Sequence, residues 1–198
     1  MCSQGVDALV GAARKGELSK VQMLLDCPEI DINGYEDGTR GPALVAASNR
    51  GYVEVVKELL KDEDIDANKA NKGGHTPLCV ASLYGNLEVI KELLLDARVD
   101  PNFKNGLGNT PLMVAVKSKQ SEAIKLEAIK LILRCPRVDI TSTSSTLNNP
   151  GETALDIATG LGDDSIVNAI QSRPTLLEEG HTCNKQGELK KFEWHLNF

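Results

Sequence analysis

Thr76-Pro77-Leu78-Cys79-Val80-Ala81 returns 34 residues later as Thr110-Pro111-Leu112-Met113-Val114-Ala115. Weaker copies stand at Asp7-Ala8-Leu9, Pro42-Ala43-Leu44 and Thr153-Ala154-Leu155, so the marker leucines Leu9, Leu44, Leu78, Leu112 and Leu155 are separated by 35, 34, 34 and 43 residues. Working outward, two more columns keep the register. A glycine follows the motif at Gly16, Gly51, Gly85 and Gly162, and a leucine pair recurs at Leu24-Leu25, Leu59-Leu60 and Leu93-Leu94. A boundary motif returns as Ile30-Asp31-Ile32-Asn33, Ile65-Asp66-Ala67-Asn68, Val99-Asp100-Pro101-Asn102 and Val138-Asp139-Ile140-Thr141. A fixed period of this length marks a stacked-repeat architecture.

Each column has a physical reading. Thr before Pro is a helix start, because the Thr oxygen accepts from an orphan first-turn N–H and Pro at the first helical position loses no bond. The glycine permits a left-handed cap, after which Val53-Glu54-Val55-Val56-Lys57-Glu58-Leu59-Leu60 and Leu87-Glu88-Val89-Ile90-Lys91-Glu92-Leu93-Leu94 resume helical apolar spacing. Asn68-Lys69-Ala70-Asn71-Lys72-Gly73-Gly74-His75 is turn-forming and predicts a projecting hairpin.

Together these motifs resemble ankyrin repeats over roughly residues 6 to 171. The resemblance implies an all-α solenoid of antiparallel helix pairs with projecting hairpin loops. We place the ankyrin-repeat domain at 1–173, with repeats near 6–38, 39–72, 73–106, 107–149 and 150–173, and a C-terminal tail or cap at 174–198. The end repeats carry the most degraded motifs, which suits caps that show one face to water.

Repeat four departs from the pattern. Glu122-Ala123-Ile124-Lys125-Leu126 is followed at once by Glu127-Ala128-Ile129-Lys130-Leu131, which predicts a longer second helix or a longer helix–helix loop. The next hairpin, Thr141 to Pro150, is about four residues too long and rich in Ser and Thr.

Composition agrees with stacked helices: 41% hydrophobic residues provide a core, and only 4% are aromatic. A net charge of -6 makes nucleic acid an unlikely partner by overall charge. The cysteines Cys2, Cys27, Cys79, Cys135 and Cys183 form no CxxC pair, so we expect reduced thiols in a cytoplasmic or nuclear protein. The start Met1-Cys2-Ser3-Gln4-Gly5 predicts no signal peptide, and no apolar run is long enough for a membrane span.

The resemblance also implies where a partner sits: the concave side made by hairpins and first helices. Just before the glycine column stand Arg14 and Lys15, Asn49 and Arg50, Leu83 and Tyr84, Lys117 and Ser118, and Gly160 and Leu161. The hairpins add Tyr35, Asp37, Arg40, Lys69, Lys72, His75, Phe103, Lys104, Leu107 and Asn109. Nine basic residues (Arg14, Lys15, Arg40, Arg50, Lys69, Lys72, Lys104, Lys117 and Lys119) fall on or near this face against three acids, Glu36, Asp37 and Glu152. Glu54, Glu58, Asp62, Glu63, Asp64, Glu88, Glu92 and Asp96 fall on the opposite side.

The expected function is therefore a non-catalytic protein-interaction module or scaffold, monomeric, whose partner carries an acidic segment. The alternative is a binder of anionic ligands such as phosphoinositides or RNA on the same basic face. No phosphate loop, nucleophile elbow or zinc-protease helix is present, and His75, His181 and His195 do not stand at ligand spacing, so neither a cofactor nor a metal is expected. Asn68 and Asn102 resemble positions that asparagine hydroxylases modify in some ankyrin proteins, and they equally suit a turn-stabilising role. The tail, which ends Phe192-Glu193-Trp194-His195-Leu196-Asn197-Phe198, suits either a cap on the last repeat or a separate binding motif.

Overall fold

Thr76 accepts a hydrogen bond from Cys79 N at 3.3 Å and Thr110 from Met113 N at 3.4 Å, so both Thr-Pro pairs start helices as their chemistry requires. The computed structural model describes residues 2–35, 41–145 and 151–173. Among them are ten helices and no strands: α1 (Cys2–Lys15), α2 (Leu18–Leu25), α3 (Ala43–Arg50), α4 (Val53–Leu60), α5 (Pro77–Tyr84), α6 (Leu87–Leu95), α7 (Pro111–Val116), α8 (Glu122–Leu133), α9 (Ala154–Leu161) and α10 (Asp164–Gln171). They form five helix pairs, and both layers run in repeat order: α1, α3, α5, α7 and α9 stack as one, with α2, α4, α6, α8 and α10 behind it. The all-helical solenoid expected from the sequence is the fold observed. The Ser/Thr loop is described only to Ser145, and the tail lies outside the described residues.

The marker leucines explain why the pairs stack. Leu9, Leu44, Leu78 and Leu112 are fully buried in one continuous core, while Leu155 in the last described pair is partly buried. Each buried leucine contributes about 1.5–3 kcal/mol of transfer free energy, and all four belong to the core that runs through the stack. Gly51, Gly85 and Gly162 end α3, α5 and α9 in the left-handed conformation, at φ 75°, 66° and 70°.

The boundary motif is a ladder between repeats. Asp31, Asp66, Asp100 and Asp139 each accept, at 2.8 to 3.0 Å, from the backbone N–H two residues on, which fixes the turn. Asn33, Asn68 and Asn102 then reach across. Each donates its side-chain amide to the next repeat's backbone (Asp64, Arg98 and Arg137 O, at 2.8, 2.7 and 2.7 Å) and accepts from the N–H of Asp66, Asp100 and Asp139. The asparagines are thus structural braces that use both ends of the amide.

A second ladder is made by arginine. Arg98 donates to Leu60 and Asp62 O, Arg137 to Leu94, Asp96, Ala97 and Val99 O, and Arg173 to Leu133, Cys135, Pro136 and Val138 O. Each guanidinium therefore caps the carboxyl end of the preceding repeat's second helix, where carbonyls lack intrahelical partners and the helix dipole favours a cation.

Repeat four takes up its extra residues in both of the ways the sequence left open. The α8 helix has 12 residues against 8 in α4 and 9 in α6, and residues 117–121 replace the usual two-residue turn. With no glycine in the column, α7 stops after 6 residues at Lys117, which stays right-handed at φ -79° and ψ -4°. The duplicated pentapeptide cannot use one face twice, because five residues advance a helix by about 500° and leave the copies about 140° apart. Ala128, Ile129 and Leu131 are accordingly buried, whereas Ala123 is exposed and Ile124 is 38% exposed and lies over Gly85.

Repeat five starts with a full capping box. Asp156 N donates to Thr153 Oγ1 at 3.2 Å, and Thr153 N and Oγ1 donate to Asp156 Oδ2 at 2.9 and 2.6 Å. The Thr153 hydroxyl and N–H hold the Asp156 carboxyl below the usual carboxylate range. A depressed folded-state pKa means this cap is complete above the unfolded-state value and is lost as pH falls through the depressed one. Amide protection across α9 should therefore drop in acid, and Asp156→Asn should flatten that pH dependence; an unchanged profile in the variant would contradict the cap.

Candidate functional site

Three first helices end side by side. The last turns of α1, α3 and α5 present Arg14, then Asn49 and Arg50, then Leu83 and Tyr84 along one rim of a cleft of about 710 Å³. Its floor is apolar, made by Val45 and Ala46 of α3 and Val80 of α5. The opposite wall is the hairpin that carries Asn71, Lys72, Gly73 and His75, with Gly41 beside it.

The wall is built from a tight turn. Asn71 N donates to His75 O at 2.9 Å and Gly74 N to Asn71 O at 2.8 Å, while Asn71 Oδ1 accepts from Gly73 and His75 N at 2.9 and 3.0 Å. Asn105 repeats the arrangement with Leu107 and Asn109 N in the next hairpin. The two hairpins are tied by Gly106 N donating to Gly73 O at 3.2 Å, so the wall is a fixed backbone surface.

Cations dominate the lining. Arg14, Arg50 and Lys72 line the cleft with His75, and among the described residues no Asp or Glu does. Arg50 and Lys72 form no ion pair with a described residue. On the opposite helices the acids are paired: Glu54 with Lys57 at 3.1 Å, Glu58 with Lys61 at 2.9 Å, and Glu88 with Lys91 at 2.6 Å. These ion pairs offset the acids on the outer helices, whereas Arg50 and Lys72 stand in the cleft without a described ion-pair partner.

Of the residues expected on the concave face, Arg14, Asn49, Arg50, Lys72, His75, Leu83 and Tyr84 meet in this one cleft. Lys15 is exposed at the end of α1 without lining it. Tyr35 is already engaged: its hydroxyl donates to Ala70 O, and Lys69 Nζ lies 5.8 Å from its ring centre. Phe103, Lys104 and Leu107 are exposed on the following hairpin, outside the cleft, with Leu107 61% exposed. Lys117 is exposed and donates to Asn109 Oδ1 at 2.9 Å. Ser118 is a correction. It is 5% exposed, because α7 ends early and the chain turns inward with Ser118 N donating to Ala115 O, so its side chain offers nothing to a partner. Arg40 lies outside the described residues.

Two parts of the cleft, the apolar floor and the hairpin backbone, were not anticipated from residue types. Ala46 and Val80 share a register position, two after the marker leucines Leu44 and Leu78, and so turn about 200° away from them, while Val45 lies one position after Leu44 and about 100° away. The visible signal was the apolar residue two positions after the marker, at Ala46, Val80, Val114 and Ile157.

Elsewhere the described residues offer little reactive chemistry. Cys79 is buried and burial pushes its thiol up, away from the nucleophilic thiolate. Among the described residues no group of three or more His, Cys, Asp or Glu could hold a metal ion, and no helix is long and apolar enough to cross a membrane.

A family model described as ankyrin repeats (3 copies) matches residues 9–105 and 43–143, a span that reaches from α1 through α8 and contains the whole cleft. No curated protein matches the chain.

Proposed function

The chain belongs to the ankyrin-repeat family, whose repeats are protein–protein interaction modules, and on that premise we propose that it is a non-catalytic binding protein whose cleft takes an acidic segment of a partner. The observation that carries this reading is the lining itself: among the described residues it has three cations and a histidine around an apolar floor, with no carboxylate among them. Such a cleft attracts acidic chains at a distance and retains them through desolvated contacts once they arrive.

The test starts from peptides selected for binding to the intact chain from a random display library. Selected peptides should be rich in Asp and Glu, and Arg14→Glu, Arg50→Glu and Lys72→Glu together should weaken them at least about 100-fold, a loss of about 2.7 kcal/mol, while helicity by circular dichroism stays unchanged. Net-neutral peptides that bind the triple variant as well as the wild type would overturn the reading. Selected peptides whose binding vanishes in about 0.5 M salt and is reproduced by inositol phosphates or RNA would favour an anionic non-protein ligand instead.

A further inference from the structure

Two consecutive repeats line the cleft from the same register positions. Gly41 and His75 stand three residues before the marker leucine, on the wall, and Ala46 and Val80 stand two after it, on the floor. The rim takes the fifth and sixth residues after it, Asn49-Arg50 and Leu83-Tyr84. Repeat four fills these positions differently. Its rim residues are Lys117 and Ser118, and its wall residue is Asn109. Ser118 is buried, and Lys117 Nζ donates to Asn109 Oδ1 at 2.9 Å, which joins rim to wall. The matching pairs in the cleft, Asn49 with Gly41 and Leu83 with His75, cannot make that bond, because glycine has no side chain to accept it and leucine has no donor. Asn109 is held in place to receive the lysine: its N–H donates to Asn105 Oδ1 at 3.0 Å and its Nδ2 to Leu107 O at 3.4 Å, which leaves Oδ1 for Lys117. Val114 and Lys117 are three residues apart, so the lysine stem reaching back to Asn109 passes along the face that carries the floor position.

We infer that Lys117 is a strap that closes the concave groove at repeat four, so that a partner segment seated in the cleft ends or turns away beside Leu83 and Tyr84. This rests on the binding reading above and sets a boundary to it. The cleft spans the last turns of α1, α3 and α5. Packed helices lie about 8–10 Å apart and an extended chain advances about 3.3 Å per residue, so the seat takes about six residues. The partner is a short segment, not a long strip that follows the whole solenoid. A chain that continued over repeat four would have to detach Lys117 and leave the buried Asn109 oxygen without its donor, and bonds from a charged donor are costly to give up.

Acylation at limiting reagent, followed lysine by lysine by mass spectrometry, tests the strap on the free chain. Lys117 should react several-fold more slowly than exposed Lys119, because its amine is held against Asn109, and Asn109→Ala should raise it to the rate of Lys119. Equal rates in the wild type would overturn the strap whatever binds the cleft. The boundary is read with the peptides selected on the intact chain: when bound they should suppress acylation of Lys72 and leave Lys117 and Lys119 unchanged. A second selection on Lys117→Ala, from a longer random library, should return peptides that bind the wild type about 10-fold more weakly than the variant. Circular dichroism with a thermal melt checks both variants, and Lys117→Ala, which alters an exposed side chain, carries the test alone should Asn109→Ala unfold. Peptides that shield Lys117 as fully as Lys72, or variant-selected peptides that bind the wild type equally well, would overturn the strap and leave the acidic-partner reading standing. Selected peptides with no acidic enrichment would overturn that reading, while the acylation rates still decide the strap.

Discussion

Gly74→Ala is expected to destabilise the protein by about 2–4 kcal/mol, far more than alanine costs at other left-handed glycines with open space around them. Gly74 holds φ 73°, and a Cβ there would lie 2.2 Å from Gly106 N and 2.8 Å from Gly106 Cα, both backbone atoms of the next hairpin. A side-chain tip could swing away from such an encounter, but this backbone is held by the Asn105 turn. Relief requires the hairpins to separate and gives up the bond from Gly106 N to Gly73 O. The left-handed conformation alone costs an L-residue about 1–2 kcal/mol, and the remainder comes from that separation. Gly162→Ala isolates the first contribution, because Gly162 has φ 70° and, among the described residues, no heavy atom beyond its chain neighbours lies within 4 Å of the place its Cβ would take.

Urea unfolding of the two variants side by side makes the comparison, and hydrogen exchange should show lost protection at residues 71–75 and 105–109 in Gly74→Ala only. Equal destabilisation by the two substitutions would mean that the hairpins yield freely. The rigid wall of the cleft would then have no basis, since Lys72 and His75 are positioned by the same turn.

The contrast shows what the sequence makes legible. Thr76-Pro77, Thr110-Pro111 and the glycines after α3, α5 and α9 are local instructions, acting within a few residues of themselves, and they place the helix starts and stops directly. Marker leucines at a constant period need no partner identity to be read as core. Concave-face residues follow in part for the same reason, because register alone puts Arg14, Arg50 and Tyr84 near equivalent helix ends. Register fails where repeat four loses its glycine: the same column that exposes Tyr84 buries Ser118. It also says nothing about Tyr35, whose hydroxyl is taken by a backbone carbonyl 35 residues away.

The arginine ladder was hidden for a related reason. Its acceptors are main-chain oxygens, which leave no signature in residue types, and the equivalent positions in repeats one and two are Glu29 and Asp64. The recurrence of Arg98-Val99-Asp100 as Arg137-Val138-Asp139 was the visible trace. Arginine suits the role because its planar fork can satisfy several carbonyls at once.

Arg137→Ala should accordingly cost about 2–4 kcal/mol, located at the boundary between repeats three and four. Arg137 Nη2 donates to Leu94 and Asp96 O at 3.1 and 3.2 Å, and Nη1 donates to Ala97 and Val99 O. Truncation removes a cation from the carboxyl end of α6 and strips several partly buried carbonyls of their donor, and charge-assisted bonds of this kind contribute about 1.5–3 kcal/mol each when lost singly. Water recovers part of the loss because the site is half-buried, which keeps the total below the sum. Arg137→Lys keeps the charge but not the fork, so it should recover less than half of the stability. In a solenoid, stability is held between nearest neighbours; the variant should therefore lose amide protection first in α7 to α10, while α1 to α4 stay protected under the same conditions. Uniform loss across all five pairs, or full rescue by lysine, would show that Arg137 acts as a general surface charge and not as a brace between repeats.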